Sequence, residues 1–338
     1  MRVDSFLVSS MAEVTRVDVR GAELAKLRAE DKTISVGKPP WTEVEHTGKI
    51  ERLILQLGAG KGRFDEVHGI PRSIGCIGNN RFILRREKLT FDEIRTVLRE
   101  FKVMGGKEVW INSYDRIEEL QYAAQIALSF GIPNVNATVL FEDLEEVEPL
   151  DGINYIAEME YDEEKIITAS MKLWVKGLLI MVPPERLEEA KMFIRKVKGD
   201  SELEIYLDVL YPRSARDLSF NLIELRRNKN PTSVKYHDCL AGTVAVTGDG
   251  YITPCPLLRN FAAGDVRDKG LKWTVNKTRK IRKFWTLTKD SVEGCSSCPF
   301  RYLCHDCRAI EYQVTGDLNG IEYCPLVFSS ESQKSSIE

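Results

Sequence analysis

The stretch EVWINSYDRIEELQYAAQIALSFGIPNVNATVL, residues 108–140, reads as one strand–helix–strand unit. Glu108 to Asn112 is a short β-type run, Ile117 to Phe130 carries apolar residues at helical spacing, and Asn134 to Leu140 is β-type again. Gly131 stands where a helix ends. A helix between two short strands is the crossover that parallel pairing requires, so this unit points to an α/β fold.

The same alternation runs outward from about residue 50 to 210. Further candidate strands are Leu53 to Leu57, Asn154 to Glu158, Lys172 to Val182 and Leu203 to Leu210; further candidate helices are Phe91 to Met104 and Glu185 to Val197. Thr90 followed by Glu93 makes a capping box for the first of these helices, which Gly105 ends. Repeated units of this kind give either a partial (β/α)6 barrel or an open parallel sheet, and periodicity does not separate the two. Asp217 to Asn228 reads as a last helix and Asn230 to Ser233 as a linker. The expected division is an N-terminal extension over 1–48 with a helix from Ala22 to Glu30, an α/β domain over 49–230, and a cysteine-rich domain over 231–338.

The 338 residues carry a net charge of −3, with 43% hydrophobic and 29% charged residues. That composition belongs to an ordinary globular protein and excludes a strongly basic nucleic-acid binder. Arg2, Asp4, Glu13, Arg16, Asp18 and Arg20 interrupt the first twenty residues, so neither a secretory core nor a spanning helix is drawn there. The expectation is a cytoplasmic protein without a membrane partner. In that reducing setting clustered cysteines read as metal ligands rather than disulfides.

Seven of the eight cysteines lie in the last hundred residues: Cys239, Cys255, Cys295, Cys298, Cys304, Cys307 and Cys324. Thiolates are soft ligands suited to zinc and iron–sulfur clusters, and a Cys-x2-Cys pair brings two sulfurs from one turn to one centre. Seven ligands exceed the four of one tetrahedral zinc site. Two zinc ions sharing ligands, or two iron–sulfur clusters of which one has an open iron, both remain compatible with the count. The eighth cysteine, Cys76, reads as a buried thiol, with a nucleophile as the lesser alternative.

The text around these cysteines includes Val246-Thr-Gly-Asp-Gly-Tyr-Ile-Thr-Pro-Cys255-Pro and Gly264-Asp-Val-Arg-Asp-Lys-Gly-Leu271-Lys-Trp273, followed by the Cys295 to Cys307 run and Cys324. Residues 236 to 328 thereby resemble the SPASM domain, the auxiliary-cluster module of many radical SAM enzymes. The resemblance implies a radical-SAM-like partial barrel followed by a small iron–sulfur domain holding two four-iron, four-sulfur (4Fe-4S) clusters. Residue by residue it gives Cys239, Cys255 and Cys307 to one cluster and Cys295, Cys298, Cys304 and Cys324 to the other. The family more often has three residues between the last two cysteines of the run, where this chain has His305 and Asp306, so the division between Cys304 and Cys307 stays open. No cysteine of the run supplies a fourth ligand to the first cluster, and His237 is one candidate.

Two motifs of that family are missing. The loop after Leu53 to Leu57 holds no Cys-x3-Cys-x2-Cys; with Cys76 at the middle position, Arg72 and Asn79 stand at the outer ones. Val109-Trp-Ile-Asn-Ser-Tyr-Asp115 occupies the place of the Gly-Gly-Glu segment that binds S-adenosylmethionine. The implied protein carries auxiliary clusters without cleaving that cofactor, and serves electron transfer or holds a peptide or protein substrate for a partner such as a redox protein. The alternatives are an enzyme with unconventional cofactor binding or chemistry at an open cluster iron, and a zinc-stabilised interaction module. Three further features have bland and functional readings. Gly58 to Gly62 is a flexible loop or an anion cradle. Residues 142–164, with eleven acidic residues, form a solvated rim or a docking face; residues 265–283, with eight basic residues, form a solvated helix or a nucleic-acid contact.

Overall fold

A computed structural model describes residues 34–64, 71–199, 201–211, 230–305 and 307–324. Residues 35–338 form one compact unit. Its centre is a ten-stranded, mostly parallel sheet: β1 (Ile34–Val36), β2 (Arg52–Gln56), β3 (Glu108–Asn112), β4 (Asn134–Leu140), β5 (Ile153–Glu160), β6 (Val175–Val182), β7 (Glu204–Val209), β8 (Thr243–Val246), β9 (Tyr251–Thr253) and β10 (Gly264–Asp265). The order across the sheet is β1-β7-β6-β5-β4-β3-β2-β8-β9-β10. Pairing is parallel from β7 through β2 to β8 and antiparallel between β8, β9 and β10. The cysteine-bearing segment therefore continues the sheet through β8, with no break at 230/231.

Helices α1 (Phe91–Val103), α2 (Ile117–Ser129), α3 (Glu163–Ser170) and α4 (Leu187–Lys198) connect the parallel strands. The Thr90 capping box is present: Thr90 Oγ1 accepts from Glu93 N at 3.3 Å and the Glu93 carboxylate accepts from Thr90 N at 2.7 Å. The helix expected from Glu185 starts instead as a 3-10 turn, Pro184–Arg186, because two prolines occupy the handover from β6. Helix α3 escapes prediction since its acidic sequence buries only Ile166 and Ala169. The expected linker is no free tether: Asn230 and Ser233 are buried, and Asn230 donates to Val44 O at 3.0 Å. The helices expected at Ala22 to Glu30 and Asp217 to Asn228 lie outside the described residues.

Register decides what meets on each face, since side chains alternate along a strand. Pairing of Ile54 with Trp110 and Ala245 puts these on one face with Ile156 and Tyr206. These five belong to one buried cluster with Trp41, Ile74, Cys76, Ile77, Leu240, Cys255 and Leu258. One layer further toward the strands' carboxyl ends, the same face carries Gln56, Asn112, Thr138, Glu158 and Asp208, all buried. Trp41 and the 71–82 loop pack on this face.

At the amino end the seam between β2 and β8 is held by Glu51 and Arg52, whose backbone N–H groups donate to Gly242 O at 2.8 and 2.9 Å. Burial pushes the Glu51 carboxyl up, but His46, Thr47 and Arg52 outweigh it and hold the pKa at about 2, below the usual 4.5. A depressed folded-state pKa adds stability that is complete above pH 4.5 and lost as pH falls toward 2. Glu51→Gln is therefore expected to be less stable than the native chain at pH 7, with the gap narrowed at pH 3. Urea unfolding at the two pH values measures it; a gap independent of pH would remove Glu51 from the account of acid stability.

Candidate functional site

Cys239 lies on the turn that enters β8. Trp41 Nε1 donates to Cys239 O at 2.9 Å, and Thr243 Oγ1 to the same carbonyl at 3.3 Å. The Arg52 guanidinium stacks 4.1 Å from the centre of the Trp41 ring. Cys255 follows β9, and its carbonyl accepts from Thr253 Oγ1 at 3.0 Å and Leu258 N at 3.0 Å. Cys307 is the N-cap of α7 (Arg308–Thr315). Between β10 and α7 run α5 (Gly270–Lys277) and α6 (Arg282–Trp285).

These three cysteines and Cys76 line one small cavity together with Pro39, Ser73, His237, Leu240, Leu257, Arg308 and Ala309. Its volume is about 10 Å³, room for one water. The surroundings disfavour unliganded thiolates. Burial, then the Cys239, Cys255 and Cys307 sulfurs, push the Cys76 thiol well up; burial, then Cys307 and Cys255, do the same to Cys239. Burial and Cys307 raise Cys255 to about 12. Four soft donors gathered in a buried site repel one another once ionised, and a cationic metal centre reverses that balance. The donor set thus suits an iron–sulfur cluster in number, softness and seclusion. Among the described residues, no three His, Cys, Asp or Glu side chains stand as a ready cage for a metal ion.

His237 is tied to the turn that carries Cys239. Its Nδ1 accepts from Cys239 N at 3.0 Å and Leu240 N at 3.2 Å, which puts the ring proton on Nε2. The ring shapes the Cys239 turn and lines the cavity. Arg308, also on that wall, donates to Leu318 O and Gly320 O at 3.0 and 2.8 Å.

The other four cysteines do not line this cavity. Cys295 and Cys298 lie on successive tight turns, with Cys295 N donating to Val292 O at 3.1 Å and Cys298 N to Cys295 O at 3.0 Å. Cys304 N donates to Phe300 O at 2.8 Å, and Cys324 N to Ile321 O at 2.9 Å. All four are half-buried. Of the pair that spacing left open, Cys307 and not Cys304 lines the cavity.

Cys76 arrives by way of a loop fastened to the polar layer of the sheet. Arg72 donates to Asp208 Oδ2 at 2.7 Å and pairs with Glu158 Oε1 at 2.8 Å. Burial opposes its charge, yet Asp208 and Glu158 outweigh that and raise its pKa. Asn79 N and Nδ2 donate to Glu158 Oε2 at 2.6 and 2.8 Å, Nδ2 also to Thr138 O at 3.0 Å, and its Oδ1 accepts from Ser113 N at 2.8 Å. Asn112 Nδ2 donates to Cys76 O at 3.2 Å. Ser113 takes a left-handed φ of 49° at this contact, a strained backbone for serine.

The remaining sequence candidates resolve into structure. Gly60 N donates to Asp115 Oδ1 at 3.0 Å and Lys61 pairs with Asp143 at 2.7 Å, so acids already occupy the groups an anion would use. Gly60 has a φ of +78° and packs on Asn80 O, which leaves no space for a Cβ. Within the acidic stretch, Asp143 and Glu158 are buried and ion-paired rather than part of a solvated rim. In the basic stretch, Arg267 grips Glu93 at 2.5 Å and the carbonyls of Glu87, Lys88 and Asp249, while α5 buries Leu271, Thr274 and Val275. No described helix is long and apolar enough to cross a membrane. The chain matches no protein-family model and no curated protein.

Proposed function

We propose that this chain is an iron–sulfur protein of SPASM type, built on a radical-SAM-like barrel that no longer cleaves S-adenosylmethionine. It acts in electron transfer, or holds a peptide or protein substrate for a modifying partner. The observation that carries the reading is the meeting of Cys239, Cys255 and Cys307 at one buried cavity, since the same three were grouped by the sequence resemblance alone. They come from three separate turns, so chain proximity does not explain their meeting.

A cluster bound there would supply one-electron transfer. The chain's own residues would exclude water with Leu240, Leu257 and Ala309, bring positive charge through Arg52 and Arg308, and fix the Cys239 turn through His237. Such charges help set a cluster's potential. Cys295, Cys298, Cys304 and Cys324 would hold the second cluster.

The inactive-barrel half of the reading rests on the loop. The positions that would carry the outer thiolates are Arg72 and Asn79, and both bind the polar layer at the strand ends. In parallel α/β sheets ligands bind at those ends. Here the 71–82 loop fills the place with buried charge pairs. Titration of anaerobically prepared protein with S-adenosylmethionine is expected to show no binding, and strong reductant no 5′-deoxyadenosine. Formation of that product would defeat the reading.

A further inference from the structure

Cys76 is the only cysteine outside the C-terminal set, yet it reaches the cavity that Cys239, Cys255 and Cys307 line. We infer that Cys76 is the fourth thiolate of the first cluster, supplied across the fold by the loop that follows β2. This rests on the iron–sulfur reading above and deepens it, because it replaces an open iron by a closed four-sulfur ligand set.

Three observations carry it. Cys76 is 6% exposed and belongs to the same buried cluster as Cys255, with Cys307 packed against it. Its backbone is held by Asn112 through the carbonyl and by the Arg72 and Asn79 anchors on either side, so the thiol's position is built rather than incidental. His237, the other candidate donor on the cavity wall, has Nδ1 taken by two backbone N–H groups. Ligation of the fourth iron by Cys76 would release the thiol proton to solvent. Net charge is then set by four thiolates, and no open coordination position remains for a substrate at this cluster.

Mild oxidation tests the assignment in the full chain. A cluster with an unprotected iron loses it and becomes a paramagnetic three-iron cluster, whereas one with four cysteine ligands resists. Wild-type protein treated anaerobically with ferricyanide is expected to stay silent by electron paramagnetic resonance. Cys76→Ala is expected to give a three-iron signal approaching one spin per chain and to lose about one iron in eight. A three-iron signal of that size from the wild type overturns the inference while leaving the iron–sulfur reading intact, and so does a Cys76→Ala protein that behaves as wild type. Where Cys76→Ala fails to accumulate, the wild-type response alone decides. A wild type without iron overturns both readings.

Discussion

Replacing Arg72 with alanine is expected to lower the free energy of unfolding by about 3–5 kcal/mol, the usual cost of removing one partner from a buried charge group. Arg72 is 3% exposed and lies between Asp208 and Glu158, which are 0% and 1% exposed. Without the guanidinium two carboxylates stand buried with their cation gone. Burial already pushes the Glu158 carboxyl up, with Arg72 and Asn79 pulling the other way, so losing Arg72 drives it further toward the neutral form. Urea unfolding at pH 7 measures the loss. A variant that also carries Glu158→Gln and Asp208→Asn should regain much of it, because the uncompensated charge is gone. A loss under about 1 kcal/mol would place the anchoring of the loop elsewhere. Because the same loop carries Cys76, Arg72→Ala should also weaken whatever the cavity holds.

The second large effect concerns metal. Replacing both Cys239 and Cys255 with serine is expected to take the chain from about eight irons to about four, since it removes two ligands from one cluster and none from the other. Replacing Cys295 and Cys298 together should do the same for the second set, and the fourfold variant should hold almost none. Iron and sulfide analysis of anaerobically purified variants checks this. Loss of all iron in the Cys239→Ser/Cys255→Ser variant would mean that the two ligand sets are not separate. Unchanged iron would remove Cys239 and Cys255 from the site. The fold should outlast the loss, because Cys255 packs among Leu258, Phe284 and Ala309 in a core that the sheet already organises.

How far the sequence reveals this arrangement depends on the range of each interaction. Parallel strands buried on both faces read as short apolar runs, and β3 and β4 begin and end where their sequence suggests. The α1 cap is legible because all its atoms lie within four residues. The polar layer is not legible. Asn112, Glu158 and Asp208 look like ordinary strand-end residues until register puts them on one face beneath Arg72. The C-terminal cysteines declare themselves through their spacing. Cys76 does not, because its partners lie beyond Cys239 in sequence and only folding brings them near. The one hint was its position in the loop after β2, beside residues that the resemblance expects to be thiolates. The role of Gly60 and Gly62 is hidden for a related reason: they pack on Asn80 and Asn79, a contact with no local sequence signature.

The account stands on the cavity lined by Cys76, Cys239, Cys255 and Cys307 holding an iron–sulfur cluster. Metal and sulfide content of anaerobically prepared full-length protein tests that most directly. The expected result is a brown protein with about eight irons and about eight sulfides per chain and no stoichiometric zinc. Zinc bound in place of iron, with no acid-labile sulfide, would contradict it.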